Sequence, residues 1–493
     1  MLIQIVLLYI IFESAFAKFS SAFAVYQIIP RNDRELKILS ELYENTDEFL
    51  DFWRPPSSVN NSIDIMVYPE IRKNFTDWLD IAGFHYEIAI KDLAELILKR
   101  EIPRRFGHRH NLFSEHRLKD DRSSSSTLPM GEYYSYDEIV QWMRNLERLH
   151  RNIVRVVSIG TTHQGRNIFG VVIGNKQNRE ARIVWIDAGI HAREWAAVHT
   201  ALYFIQQLVS GYENNPKITE YVDTLNIYIF PCINPDGYEY TRSDQRDPAI
   251  RMWRKNMSPE KCYTKDGKKR CCKGVDLNRN FAFRFAEVGS SSSPCSEIHH
   301  GENAFSEPES RAVRDAVLSL SNRLDAFITL HTYSQLWIYP YSHRKYAYSA
   351  DVNDLKSVAK KAVESLERLY GTRYRYGTGP EIIYPYAGGS ADWAKESGRV
   401  KYSYTIELRP SYFEWNGFVL DRRQLVPTGR ETFEGVKVVI DKVIEEDKRR
   451  RGIEIPCVDV SPACSHWISD NPSICQRAEH AMEKQCQKSC SFC

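Results

Sequence analysis

The chain has 493 residues, 43% of them hydrophobic, with 66 Lys and Arg against 64 Asp and Glu and a mean hydropathy of −0.46. That length asks for two or three domains with room for a large core. A net charge of +2 argues against nucleic acid or an anionic membrane as the main partner.

The first segment is a targeting signal. Leu2 to Phe12 is apolar, and Ala15-Phe16-Ala17 is a small-residue cleavage pattern, so residues 1–17 are expected to be removed from a secreted chain. The run is shorter than the roughly 20 apolar residues of a membrane span, and no later segment qualifies. Residues 18–100 form a small α/β unit. Strands are expected over 22–29, 63–67 and 84–90. Helices are expected over 34–43, where Leu36, Leu39 and Leu42 share a face, and over 75–82. Residues 101–130 change character: Arg100, Arg104 and Arg105 precede a His/Arg-rich stretch, then Arg122 and four serines. Such a run reads as a connector open to proteolysis.

From 131 to 440 strands and helices alternate. Apolar runs at 183–188, 225–230, 324–330 and 401–406 flank helical patterns such as 196–209 and 351–370. This predicts an α/β fold, a mixed twisted sheet with helices on both faces. Glu445 to Arg451 reads as part of a charged linker over 441–456. Six of the eleven cysteines crowd the tail at 457, 464, 475, 486, 490 and 493. A module that small needs disulfides in place of a core, and six cysteines alone allow 15 pairings. Cys262, Cys271, Cys272 and Cys295 cluster in the middle, and Cys232 is left over as a buried free thiol.

His191-Ala192-Arg193-Glu194 follows one apolar strand, and His331 follows another. Two imidazoles and a carboxylate make a three-point site for one Zn²⁺ per chain, with the fourth position open for water as catalytic zinc requires. Both lie beyond strand ends, where α/β sheets place their sites. Glu407, also at a strand end, is placed to take the attacking water's proton.

The wider set of motifs resembles the zinc carboxypeptidases of the A/B family. It comprises Gly189–Trp195, Asn234-Pro235-Asp236-Gly237, Arg251–Lys255, Val275–Asn280, His331–Leu336, Gly388–Trp393 and Thr405–Arg409. The resemblance implies that His191, Glu194 and His331 bind zinc and that Glu407 is general base, then acid. Arg254 would stabilise the oxyanion. Asn278 and Arg279 would hold the substrate's terminal carboxylate. Arg193, Tyr333 and the mobile Tyr384 would contact substrate, and Asp276 would orient His191. Ser342, Gly379, Gly389 and Ala391 would line the pocket for the terminal side chain. Ala391 stands where B-like enzymes carry an acid, so neutral, apolar or aromatic terminal residues are expected, with Glu381 as a charge whose side-chain direction the sequence does not give.

Two departures from the family pattern stand out: a long basic stretch, Arg242 to Arg270, and an insertion, Pro410 to Glu414. Cys262 and Cys271 would close an extra loop in the first, and Cys272–Cys295 matches a family disulfide. Residues 18–100 resemble the family's activation domain, implying a zymogen opened by an endoprotease. The tail resembles an ShK module, which selects Cys457–Cys493, Cys464–Cys486 and Cys475–Cys490 and implies a protein partner. Sequons at Asn60, Asn74 and Asn256 are candidate glycosylation sites. The expected protein is a secreted monomer acting on peptide C-termini, with no nucleic acid and no membrane span.

Overall fold

The computed structural model describes residues 22–490 except 45, 47–48, 103–127, 179, 266, 413, 454–457, 479–480 and 483–484. The leader, most of the connector with Arg104, Arg105 and Arg122, and the Cys457–Cys493 pair lie outside the described residues. The chain divides into two compact units, at residues 440 and 441.

The first small sheet is antiparallel, in the order β2-β3-β1-β4, from β1 (Ala24–Ile28), β2 (Leu50–Arg54), β3 (Ile63–Val67) and β4 (Tyr86–Ile90). Helices Asp33–Glu44 and Arg72–Ala82 cover one face and bury Leu39, Leu42, Phe75 and Leu79 against Tyr26, Ile28 and Ile65. Strand β2 and a third helix, Leu93–Arg100, were not anticipated from the sequence pattern.

The large sheet has eight strands in the order β13-β12-β14-β11-β7-β8-β6-β5. They are β5 (Val154–Thr161), β6 (Asn167–Ile173), β7 (Arg182–Ala188), β8 (Leu225–Phe230), β11 (Leu324–Ser334), β12 (Leu336–Ile338), β13 (Arg375–Gly377) and β14 (Tyr402–Ser411). The central β14-β11-β7-β8 ladder is parallel and the outer pairs are mainly antiparallel. Its strands read as continuous apolar runs because both faces are covered. On one face Ile183, Trp185 and Phe327 bury against Ala312 and Val313 of the helix Pro308–Leu320 and Trp393 of the helix Ser390–Glu396. Trp185 stacks on Phe230 at 4.4 Å and on Phe327 at 6.1 Å between ring centroids. The helix Trp195–Gly211 contacts β7 and β11, and its Phe204 meets Phe433 of the helix Leu425–Arg450. A hairpin of β9 (Lys261–Lys265) and β10 (Lys268–Cys272) pairs Cys262 directly with Cys271, and the two are disulfide-bonded. Cys272–Cys295 is also formed, and Cys232 is a buried free thiol.

The charged stretch expected as a linker is different. Residues 445–450 are the last turns of the helix Leu425–Arg450, held by i,i+4 pairs such as Arg449–Glu445 and basic residues at the helix's negative end. In the second unit Cys464–Cys486 and Cys475–Cys490 enclose a small core of Cys464, Met482 and Cys486.

Candidate metal centre and substrate cleft

Strand β7 ends at Ala188, and the chain turns at once. Gly189 makes the turn at φ 62°, where an added Cβ would meet Val198 Cγ2 at 2.9 Å and the Cys232 backbone at 3.2 Å. Only a residue without a side chain fits both demands. The turn delivers His191, and Glu194 takes the N-cap position of the helix Trp195–Gly211, whose positive end favours a carboxylate. His331 lies in β11, in register with Glu407 of the parallel neighbour β14.

The three expected ligands converge. His191 Nδ1 lies 2.8 Å from Glu194 Oε1 and 3.2 Å from His331 Nδ1, and His331 Nδ1 lies 3.1 Å from Glu194 Oε2. Donor atoms around a tetrahedral zinc stand about 3.3 Å apart, so the set fits that ion. His191 Nε2 is 3.0 Å from Asp276 Oδ1; donation there leaves Nδ1 as the inward lone pair. Among the described residues two other groupings have metal-like composition. In Glu260/Cys262/Cys271 the thiols are spent in the disulfide. In His163/Glu307/Glu309 the amide of Asn256 donates to both carboxylates at 2.9 Å.

That last contact corrects one expectation. Asn256 is fully buried, its amide Nδ2 is committed to Glu307 and Glu309, and its Oδ1 accepts from the Val275 and Ser258 amides. A glycan has no room there. Asn60 is exposed and Asn74 half-buried.

Glu407 sits half-buried beside this cluster. Burial pushes its carboxyl up to about 8; Glu194 adds to the rise, while His331, Arg254 and Arg279 oppose it. A divalent cation would pull it down. Arg254 donates to Asp276 Oδ2 from Nε at 3.1 Å and Nη2 at 2.9 Å. Burial works against its charge, but Asp276, Tyr384 and Glu194 outweigh that and hold it above its usual range. Asp276 therefore orients a histidine with one oxygen and a guanidinium with the other. Arg279 is anchored by the Gly289 and Asn278 carbonyls, and Asn278 Oδ1 accepts from the Ser390 amide.

The catalytic cavity is lined by His191, Glu194, Arg254, Asn278, Arg279, Tyr333, Tyr384 and Glu407. Ile338, Ile383, Tyr386 and Thr405 also line it, and sequence reasoning missed them. Ser342, Gly379, Gly389 and Ala391 are not among its described lining residues. They sit close behind it: a Cβ on Gly379 would meet Ser342 at 2.9 Å, and one on Gly389 would meet the Tyr386 ring at 2.8 Å. Glu381 is turned away. It accepts from Tyr348 Oη at 2.7 Å and the Thr378 amide at 2.9 Å.

Residues 139–435 match the zinc carboxypeptidase family model, residues 26–100 the carboxypeptidase activation peptide, and residues 456–493 the ShK domain-like model. The chain belongs to the zinc carboxypeptidase family. Carboxypeptidase B of Astacus astacus is 42% identical over 311 residues, 63% of this chain and 97% of that relative. Carboxypeptidase A2 of Mus musculus is 35% identical over 419 residues, 85% of this chain and 93% of that relative. Among solved structures, carboxypeptidase A from Helicoverpa armigera aligns with a TM-score of 0.73 at 26% identity, covering 87% of this chain and 99% of that one. Thrombin-activatable fibrinolysis inhibitor aligns with a TM-score of 0.72 at 30% identity, covering 86% and 99%.

In this carboxypeptidase the activation-peptide region meets the cleft through β2. Asp51 accepts from Arg193 Nη1 and from Trp53 Nε1. Trp53 lies against Phe418 at 5.2 Å between ring centroids, and Trp53 and Arg54 line the catalytic cavity. Arg54 pairs with Asp64 at 2.8 Å and stacks 3.5 Å over Tyr412, within the insertion after Glu407. Tyr333 Oη donates to Asp64. Further along, Glu101 and Arg251 form a two-point ion pair, both bonds 2.7 Å and both side chains fully buried.

Proposed function

We propose that this zinc carboxypeptidase is secreted as a zymogen and removes neutral, apolar or aromatic residues from peptide C-termini. The observation that carries the reading is the convergence of His191, Glu194 and His331, with Glu407 next to them in register on the adjacent strand. One zinc per chain would be held by those three residues. When bound, it polarises the scissile carbonyl and acidifies water. Glu407 takes the proton of the attacking water and passes it to the leaving amine nitrogen. Arg254, preorganised by Asp276, donates to the developing oxyanion. Arg279 and Asn278 hold the terminal carboxylate, which confines cleavage to chain ends. Tyr384 closes over the bound residue, and Arg193 and Tyr333 contact the chain upstream.

The specificity reading rests on the absence of an unspent carboxylate among the described residues near the pocket. Ala391 is neutral. Asp392 beside it accepts from the Ser342 amide at 2.6 Å, and burial pushes its carboxyl up to about 7. Glu381 faces away, and Ile338, Ile383 and Thr405 are uncharged. A buried cation would stay unpaired there, at high cost.

Docking of β2 leaves a cavity of about 40 Å³ at the catalytic residues, room for a water or two but not for a peptide end. This supports an inhibitory role for residues 18–100 until an endoprotease cuts between 101 and 130. Residues 1–17 and the cysteine usage support secretion, and the 457–493 module is an accessory that binds a protein partner.

The test is a series of peptides differing only in the terminal residue, given to protease-activated chain with and without a chelator. Preference for Lys or Arg over Phe or Leu would overturn the specificity. Activity insensitive to chelation would overturn the mechanism.

A further inference from the structure

The basic hairpin has no place in the chemistry described so far. Residues 261–273 carry six Lys and Arg against one Asp, and the Cys262–Cys271 disulfide fixes the hairpin's shape. Its base faces the cleft. Glu260, Cys271, Cys272 and Lys273 line the same cavity as Arg254 and as Arg193, the residue assigned above to the upstream part of the substrate. Lys273 is held over the rings of Tyr240 at 4.1 Å and Trp253 at 5.2 Å, and Trp253 is part of the cavity wall. Lys255 adds a further buried ammonium. The acids on this side among the described residues are Glu260, exposed, Glu297, whose carboxyl burial pushes up, and Glu302, which pairs with Lys261 at 2.7 Å and leaves the other hairpin bases as the net positive charge.

The opposite wall belongs to the activation-peptide region, through Tyr43, Thr46, Phe49, Leu50 and Asp51. In sequence, residues 41–51 hold five acids, Glu41, Glu44, Asp47, Glu48 and Asp51, and no base. Of these acids Asp51 stands in the cavity wall, across from a predominantly basic hairpin. Once that segment leaves, Asp51 no longer neutralises Arg193 and the wall is left strongly positive.

We propose that this hairpin, with Lys273, is an upstream subsite that selects substrates bearing Asp or Glu several residues before the scissile bond. In the zymogen Asp51 stands in for such a substrate's carboxylate. The proposal rests on the carboxypeptidase reading above. Exposed charges of opposite sign raise encounter rates and local affinity, and salt removes the effect.

The experiment uses ten-residue peptides with one C-terminal sequence and Asp, Ala or Lys at the fourth to sixth residues from the end, plus a blocked dipeptide too short to reach the hairpin. The chain is activated at its connector, and mass spectrometry checks that the hairpin is uncut. The Asp peptide should exceed the Lys peptide about tenfold in kcat/KM at ~20 mM salt and less than about twofold at ~1 M. In Lys269→Glu/Lys273→Glu the order of Asp and Lys peptides, each read relative to the dipeptide, should reverse. Equal rates for Asp and Lys peptides, or an unchanged order in the variant, overturn the subsite. Equal rates together with salt-sensitive retention on immobilised heparin reassign the hairpin to a polyanion anchor and also overturn it. No hydrolysis even of the dipeptide removes the carboxypeptidase reading itself, and the proposal with it.

Discussion

Glu101→Gln isolates what holds a cut activation peptide in place. Glu101 and Arg251 exchange two 2.7 Å hydrogen bonds, and neither side chain is exposed. Arg251 has little other compensation: Nη1 donates to the Arg193 carbonyl, and the guanidinium lies 3.7 Å over the Trp195 ring. Removing one partner of such a pair costs about 3–5 kcal/mol, mostly because the remaining charge stays buried. Docking can relax and admit water, so the lower end applies, and about 3 kcal/mol is roughly 150-fold in affinity. The assay follows peptidase activity after rapid proteolysis of the connector, with cleavage timed separately on gels. In the parent, activity should lag behind cleavage while the cut piece stays docked. In Glu101→Gln the lag should shrink by about two orders of magnitude. Residue 101 lies upstream of the connector's candidate cut sites at Arg104, Arg105 and Arg122, so cleavage at any of them leaves identical mature chains and any difference belongs to the activation peptide. Equal lags in the two proteins would refute the argument.

Glu407→Gln should lower kcat by about 10²- to 10⁴-fold, the usual worth of a general base. Zinc content by elemental analysis should stay at the parent value, because Glu407 is not one of the three converging ligands. Ala391→Asp should shift kcat/KM from Phe-ended toward Lys-ended peptides by about tenfold or more, at least ~1.4 kcal/mol, read by paired substrates; no shift would remove Ala391 from the pocket. Acid unfolding should report Glu307. Burial raises its carboxyl, but hydrogen bonds from His163, Asn256 and Ser306 win and hold it near 2, against 4.5 when free. The unfolded chain therefore binds more protons between those values. Stability present above pH 4.5 should fall toward pH 2 by about 3 kcal/mol, and Glu307→Gln should flatten that limb in denaturant titrations.

The chemistry of the site was legible because it is written in short, local motifs. His191 and Glu194 are three residues apart, and His331 and Glu407 each follow a short, largely apolar run; the strands run on past both residues, so they lie within β11 and β14 and not beyond the strand ends as expected. Regular elements with strong periodicity were legible too: 225–230 and 63–67 match their strands. What failed lacked a periodic signal. Strand β2, Leu-Asp-Phe-Trp-Arg, alternates poorly and is four-fifths buried because another surface covers it, a fact that no local pattern contains. The helix end at 445–450 looked like a linker since its charges are consecutive, yet they satisfy each other at i,i+4 spacing. The sequon at Asn256 is a local pattern whose meaning burial reverses. Ile338 and Thr405 reach the cavity from two different strands and Ile383 from a loop, so only the fold unites them.

The contacts of β2 suggest how the zymogen can be silent and yet ready. Asp51 engages Arg193, Trp53 covers Phe418, and Arg54 is held by Asp64 and stacked on Tyr412. Each catalytic-side partner is a residue that would meet substrate or form the cleft rim. None is one of the three converging ligands, whose partners among the described residues come from the catalytic region, chiefly Asp276, Arg254 and one another. Blocking the substrate path while leaving the metal cage intact means that activation requires only departure of the peptide, with no rebuilding of the cage. The insertion carrying Tyr412 fits the same logic. Its ring and carbonyl both meet Arg54, so a segment added just after the catalytic strand serves the docked state. Tyr412→Ala should therefore loosen the uncut chain, raising its basal peptidase rate, while leaving zinc content unchanged. A basal rate equal to the parent's would show that Asp51 and Glu101 suffice and that the insertion serves the open enzyme instead.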